Sequence, residues 1–296
     1  RPCGARILRV SGACETPFLE GTAQIIVPGA RIQYDALMFP SLTDAILIFA
    51  SGIAAGAINA VAGGGTFIAF PTLVFTGVSP LVANATCTVA VWPAAVASTY
   101  AYRVQLKESR KILPVMLSIG FIGGAIGAML LLRTPEKHFS ALIPWLMLLA
   151  TTVFIFGKNL NRALGHFLGE HPASQRVRNL SSYTLQMAVA IYGGYFGAGM
   201  GILTLAVLQV LGMTHIHLMN ALKITIGAAI NTIAVVIFVL AEIVAWPQAI
   251  IMLLGGIVGG YWGAHLSLKV SPELVRRLVM LIAISTTIWF FIKEYS

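Results

Sequence analysis

Charge is what this sequence has least of. Only 10% of its 296 residues are Asp, Glu, Lys or Arg and 58% are hydrophobic, whereas soluble domains carry about 25% charged residues. With a mean hydropathy of +0.87, a soluble globular fold is excluded. Cysteine is almost missing: Cys3, Cys14 and Cys87 follow no pairing pattern, which excludes a disulfide framework and a thiolate metal box. No His, Cys or Glu set has metal-ligand spacing, so no metal is expected. No GxxxxGK[ST] phosphate loop occurs, so no ATP-driven pump is encoded here. No acid, His, Ser and Lys constellation falls at one depth, so no catalytic residue, cofactor or enzymatic activity is expected. No cleavable leader is expected in this segment, since residues 1–37 hold Arg1, Arg6, Arg9 and Arg31 among mixed residues without a continuous apolar core. The abrupt composition change at Met38 marks that residue as the expected natural start.

What remains is apolar length. Uncharged stretches run at about 44–76, 81–102, 112–132 and 139–157, then, after a polar interval, at about 183–211, 216–241, 247–268 and 276–292. A helix needs about 20 residues to cross a hydrocarbon core of about 30 Å. The expected fold class is therefore an all-α polytopic membrane protein, with the lipid bilayer as its surroundings. The net charge of +9 does not point to nucleic acid, because Lys and Arg lie between the apolar stretches and act as topology signals.

The second set of stretches repeats the first. A shift of 136 residues pairs Gly63 with Gly199, Gly65 with Gly201 and Asn84 with Asn220, and lays "MLSIGFIGGAIGAML" (116–130) on "MLLGGIVGGYWGAHL" (252–266) with four glycines in register. Gly120 and Gly124, like Gly123 and Gly127, are four apart, so each pair lies on one helix face and lets a neighbouring backbone approach. The expected organisation is a tail at 1–37, a membrane repeat at 38–158, a polar inter-repeat loop at 159–182 and a second repeat at 183–296. Four crossings per repeat make the repeats parallel; five elements invert them. The five-element count places the basic clusters at Arg103 to Lys111, Lys158 to Arg178 and Lys269 to Arg277 on one side, and inversion is the favoured reading.

Each repeat opens with a stretch interrupted by glycine: "NAVAGGGTFIAF" at 59–70 and "GAGMG" at 197–201. Neither piece after the glycines spans a bilayer. An unwound backbone in hydrocarbon leaves costly unsatisfied N–H and C=O groups, so such breaks belong where protein or a watery cavity covers them. The second half-helix then presents free N–H groups and the positive end of its dipole, an anion site, and paired breaks in two repeats are the sequence mark of a midplane transporter site. The candidate substrate-binding residues are Asn59, Gly63, Gly64, Gly65 and Thr66 at the first break, and Gly199, Met200 and Gly201 at the second. Asn84 and Asn220 stand early in the helices that follow. Lys223, one turn after Asn220, is the one basic residue well inside an apolar stretch; an intramembrane cation marks a functional site with an anionic partner. His215 and His217 are solvated loop residues on the plain reading and proton shuttles on the sharper one. Trp92 and Pro93 are read as packing, and Cys87 as a small apolar filler.

"GAINAVAGGGTFIAFPTLVFTGVSPLVANAT", with the related "YGGYFGAGMGILTLAVLQVLGMTHIHLMNALKIT" later, resembles the sulfite exporter TauE/SafE family of multi-pass permeases over nearly all of residues 42–293. The resemblance implies movement of a small sulfur oxyanion or organosulfonate, such as sulfite or sulfoacetate, across the bacterial inner membrane. Which anion, in which direction, with or without a coupling proton or a homo-oligomeric assembly, it leaves open. The tail does not fit the family pattern. A non-transporting membrane scaffold subunit and a membrane-embedded enzyme are the alternatives.

Overall fold

Proline and glycine set where helices start and stop. Pro80 stands in the first turn of one helix, after Ser79, and Pro114 in the first turn of another, where its missing N–H has no intrahelical acceptor to lose. The computed structural model describes residues 23–27, 30–34, 39–61, 64–110, 112–169, 175–266 and 272–296. Among these residues the helices are α1 (Leu42–Val61), α2 (Thr66–Phe75), α3 (Pro80–Ala101), α4 (Leu113–Arg133), α5 (Glu136–Gly169), α6 (Gln175–Tyr195), α7 (Met200–Val210), α8 (Ile216–Leu240), α9 (Trp246–Leu266) and α10 (Pro272–Tyr295). Six contain stretches long and apolar enough to cross a membrane, namely Leu42–Asn59, Pro80–Ala101, Leu113–Arg133, Glu136–Gly157, Ile216–Leu240 and Leu274–Tyr295. At 1.5 Å per residue, the 21 residues of α4 reach about 30 Å. The membrane body is helical and multi-pass.

In the tail, strands β1 (Ala23–Val27) and β2 (Ala30–Tyr34) pair antiparallel, with Ile25 opposite Ile32. One expectation is corrected: the polar interval at 159–182 is helical over most of its length. Helix α5 continues to Gly169 and α6 begins at Gln175, because a helix leaving an apolar slab keeps its backbone bonds while its side chains turn polar.

Helix α1 packs along α9, and α4 along α6. Glycine makes both contacts close. A Cβ on Gly127 would fall on the carbonyl oxygen of Ile191, and one on Gly259 on that of Ile53. On α4, the Gly123 and Gly127 face seats α6, while the Gly120 and Gly124 face meets Ile226, Ile230 and Ile233 of α8. Helices α3 and α8 cross each other, α3 also packs on α9, and α5 lies along α10. The last pair is antiparallel: Thr151 Oγ1 lies 3.0 Å from Thr287 Oγ1, while Trp145 Nε1 donates to the Tyr295 hydroxyl at 3.1 Å. Short helices α2 and α7 lean on α10 and α5 respectively. Phe67, Phe70, Phe139 and Leu73 are fully buried where these elements meet.

Candidate functional site

The residues just ahead of α2 pack against α1. Gly65 abuts the backbone of Ala55, and the Asn59 Oδ1 accepts the Gly65 N–H at 2.8 Å. Asn59 thus caps α2 from the side of α1 and satisfies one of its orphan donors. Gly64 has φ +96°, a left-handed conformation that side chains resist, and Thr66 opens α2 behind it. Gly63 lies outside the described residues.

The second break is built the same way by different bonds. Gly199, at φ +76°, is the N-cap of α7. The Met200 N–H bonds back to Gly197 O at 3.3 Å, and the Ile202 N–H to Gly199 O at 3.1 Å. The N–H groups of Gly199 and Gly201 have no acceptor among the described residues. The Tyr192 hydroxyl donates to Ala198 O at 2.7 Å, bracing the turn. Asn84 Nδ2 donates to Tyr195 O at 3.0 Å, so the amide of α3 ties down the last carbonyl of α6.

Both short helices begin within one turn of each other along α5. A Cβ on Gly199 would lie 3.4 Å from Ala150 Cα, and one on Gly64 3.0 Å from the Phe154 ring. Ala150 and Phe154 are one turn apart on α5, about 6 Å along its axis. From these starts the two helices run in opposite directions. Helix α2 follows α10, from Gly64 beside Val279 to Phe70 stacked on Phe290; α7 follows α5, from Gly199 beside Ala150 to Ile202 beside Gly157. Since α5 and α10 are antiparallel, so are α2 and α7, and their two positive poles emerge in the middle of the fold.

Lys223 stands at the second of these poles. A Cβ on Gly201 would lie 3.4 Å from its Cδ, so the lysine stem runs across the N-terminus of α7. It is half-buried, and no acidic side chain pairs with it among the described residues. Asn220, one turn away, is also half-buried and has no hydrogen-bond partner among the described residues. Met200 differs in kind, because its side chain is packing: the Cε lies 3.5 Å from a Cβ on Gly227. The structure therefore brings Gly199, Gly201 and Lys223 together, sets Gly64, Gly65, Thr66 and Asn59 one turn of α5 away, and assigns Asn84 to bracing. His215 and His217 are exposed, Cys87 is buried, and Trp92 Nε1 donates to Thr232 Oγ1 at 2.8 Å, joining α3 to α8. Among the described residues no group of three or more His, Cys, Asp or Glu could hold a metal.

The sequence reading missed Arg276. Its guanidinium donates to Phe154 O at 3.2 Å and Ile155 O at 3.1 Å, one turn from the Val279 that touches Gly64. The only signal was a basic residue before an apolar stretch, which reads as topology.

The family model described as "Sulfite exporter TauE/SafE" matches residues 48–290. The chain belongs to the sulfite exporter TauE/SafE family. A probable membrane transporter protein of Haemophilus influenzae is 28% identical over 250 residues, covering 81% of this chain and 92% of that protein. Probable membrane transporter protein ORF9 of a Sinorhizobium species is 26% identical over 252 residues, 81% of this chain and 90% of its own. Probable membrane transporter protein YfcA of Escherichia coli K12 is 24% identical over 245 residues, 80% and 86%. No solved structure matches. The TauE/SafE match spans both glycine turns and Lys223 and begins after the β-hairpin, so the membrane-transporter family assignment rests on the helical body.

Proposed function

We propose that this TauE/SafE member is a secondary transporter of small sulfur-containing anions, sulfite, sulfoacetate or related sulfonates, resident in the bacterial inner membrane. The observation that carries the reading is that two oppositely directed short helices start within one turn of each other along α5, with N–H groups at Gly199 and Gly201 unpartnered among the described residues and the Lys223 stem across the α7 terminus. Backbone N–H groups and an ammonium both favour an oxyanion, and neither has an acidic partner to satisfy it. Gly64, Gly65 and Thr66, with Asn59, supply the other pole, and Asn220 a side-chain amide.

The two glycine turns also support reading the halves as inverted repeats. The packing of α1 on α9 is answered by α6 on α4, that of α2 on α10 by α7 on α5, and α3 crosses its counterpart α8. The opposite directions of α2 and α7 are what five elements per repeat demand. A membrane potential contributes about 2.3 kcal/mol per charge per 100 mV and drives an anion out of a negative interior without ATP; proton coupling is the alternative drive.

Flux of sulfite and sulfoacetate into liposomes holding the purified protein tests this. Saturable flux that Lys223→Ala weakens at least tenfold is the expected result. Chemical turnover of the anion in place of flux points to an enzyme, absence of both to a scaffold, and unchanged flux in Lys223→Ala removes the lysine from the site.

A further inference from the structure

Gln186 lies mid-way along α6 with 0% of its surface exposed, and neither its Oε1 nor its Nε2 has a hydrogen-bond partner among the described residues. Buried amides with both ends unpaired are rare and strongly disfavoured, and each calls for an explanation.

Register places this amide beside the anion site. Gly123 of α4 lies against Ala190 of α6, and Gly127 against Tyr195, so α4 and α6 run parallel. Gly120 lies against Ile226 of α8, and Gly124 against Ile230 and Ile233, so α8 runs parallel to both. Gly193 of α6 meets Ile230 of α8. Two turns earlier on each helix stand Gln186 and Lys223, at the same level. Gln186 shares a stripe with Ala190 and Gly193, at spacings of four and seven, and that stripe faces α4 and α8. Helix α7 closes the space: Met200 reaches from its N-terminus to both Gly193 and Gly227, and Gly201 rests on the Lys223 stem.

Resting on the anion-site reading, we infer that Gln186 is a further substrate-contacting residue, whose Nε2–H donates to an oxygen of the bound oxyanion while Oε1 accepts from water that enters with it. The amide is kept without a protein partner because its partner is the cargo. Leu is nearly its size and removes the polar ends, and Glu keeps the shape but replaces the donor with an acceptor.

The test uses purified full-length protein and follows its unfolding temperature against sodium sulfite and sulfoacetate, together with liposome flux. Gln186→Leu is expected to unfold at or above the unmodified temperature without anion, and to need about tenfold more anion for half-saturation; Gln186→Glu is expected to lose more. A Gln186→Leu protein that unfolds lower but saturates as before shows the amide to be structural and overturns the inference. Lys223→Ala separates the two failures. If it is impaired and Gln186→Leu is not, only the role of Gln186 falls; if it saturates normally, or the unmodified protein responds to neither anion, the site itself falls and the inference with it.

Discussion

Two alanine substitutions two residues apart should behave oppositely. Gly199 holds φ +76°, and a side chain there carries the left-handed penalty of roughly 1–2 kcal/mol, on top of a Cβ set 3.4 Å from Ala150. Gly201 has no such backbone. Its added Cβ would meet only the Lys223 Cδ at 3.4 Å and Cγ at 3.7 Å, the flexible part of a long side chain, and in a helix Ala is favoured over Gly by about 1 kcal/mol. The difference between Gly199→Ala and Gly201→Ala is then about 2–3 kcal/mol. At roughly 2–4 °C per kcal/mol for a chain of this order of size, thermal unfolding in detergent should separate them by at least several degrees, with Gly201→Ala level with or above the unmodified protein. Equal unfolding temperatures would refute the left-handed turn at Gly199. A second pair at Gly201 informs on function, because Gly201→Leu should push the lysine stem from the α7 terminus and depress flux while Gly201→Ala leaves it within a few fold.

Asn84→Ala removes the bond to Tyr195 O and leaves a carbonyl at the end of α6 without it, so thermal unfolding should show a loss of about 1–3 kcal/mol. Gly127→Leu and Gly259→Leu place side chains on the carbonyls of Ile191 and Ile53 and should abolish a monodisperse gel-filtration peak, whereas Gly260→Ala, with nothing within 4 Å of the new Cβ, should not. Single cysteines at exposed Arg110 and Arg277, in a background free of Cys3, Cys14 and Cys87, should label from one face of the membrane; labelling from opposite faces removes the inversion.

The parts of this fold legible in the sequence were those governed by hydropathy and glycine. Long uncharged runs marked the six helices long and apolar enough to cross a membrane, and the glycine clusters marked the positive-φ positions Gly64, Gly197 and Gly199 ahead of α2 and α7, because few other residues tolerate such backbones. The ends of α5 and α6 were not legible, since helix continuation past an apolar slab leaves no hydropathy signal. In the candidate site, Lys223 stood out because an ammonium in an apolar run is costly. The difference between Asn84 and Asn220 did not. They occupy matching positions, and only tertiary contacts show that one bonds to Tyr195 while the other has no described partner. Gln186 and Arg276 were missed because an amide on a small-residue stripe and an arginine near a helix start are each common. Their significance lies in what surrounds them, which the chain order does not record.

Helix α1 lies along α9 and α2 along α10, while α4, α6, α7 and α8 gather together and α5 joins them through α7. The packing units are therefore not the two sequence halves: one is the contiguous run from α4 to α8, the other joins α1 to α3 with α9 and α10, and the two meet through α3 against α8 and α5 against α10. The midpoint of the sequence lies inside a single packing unit.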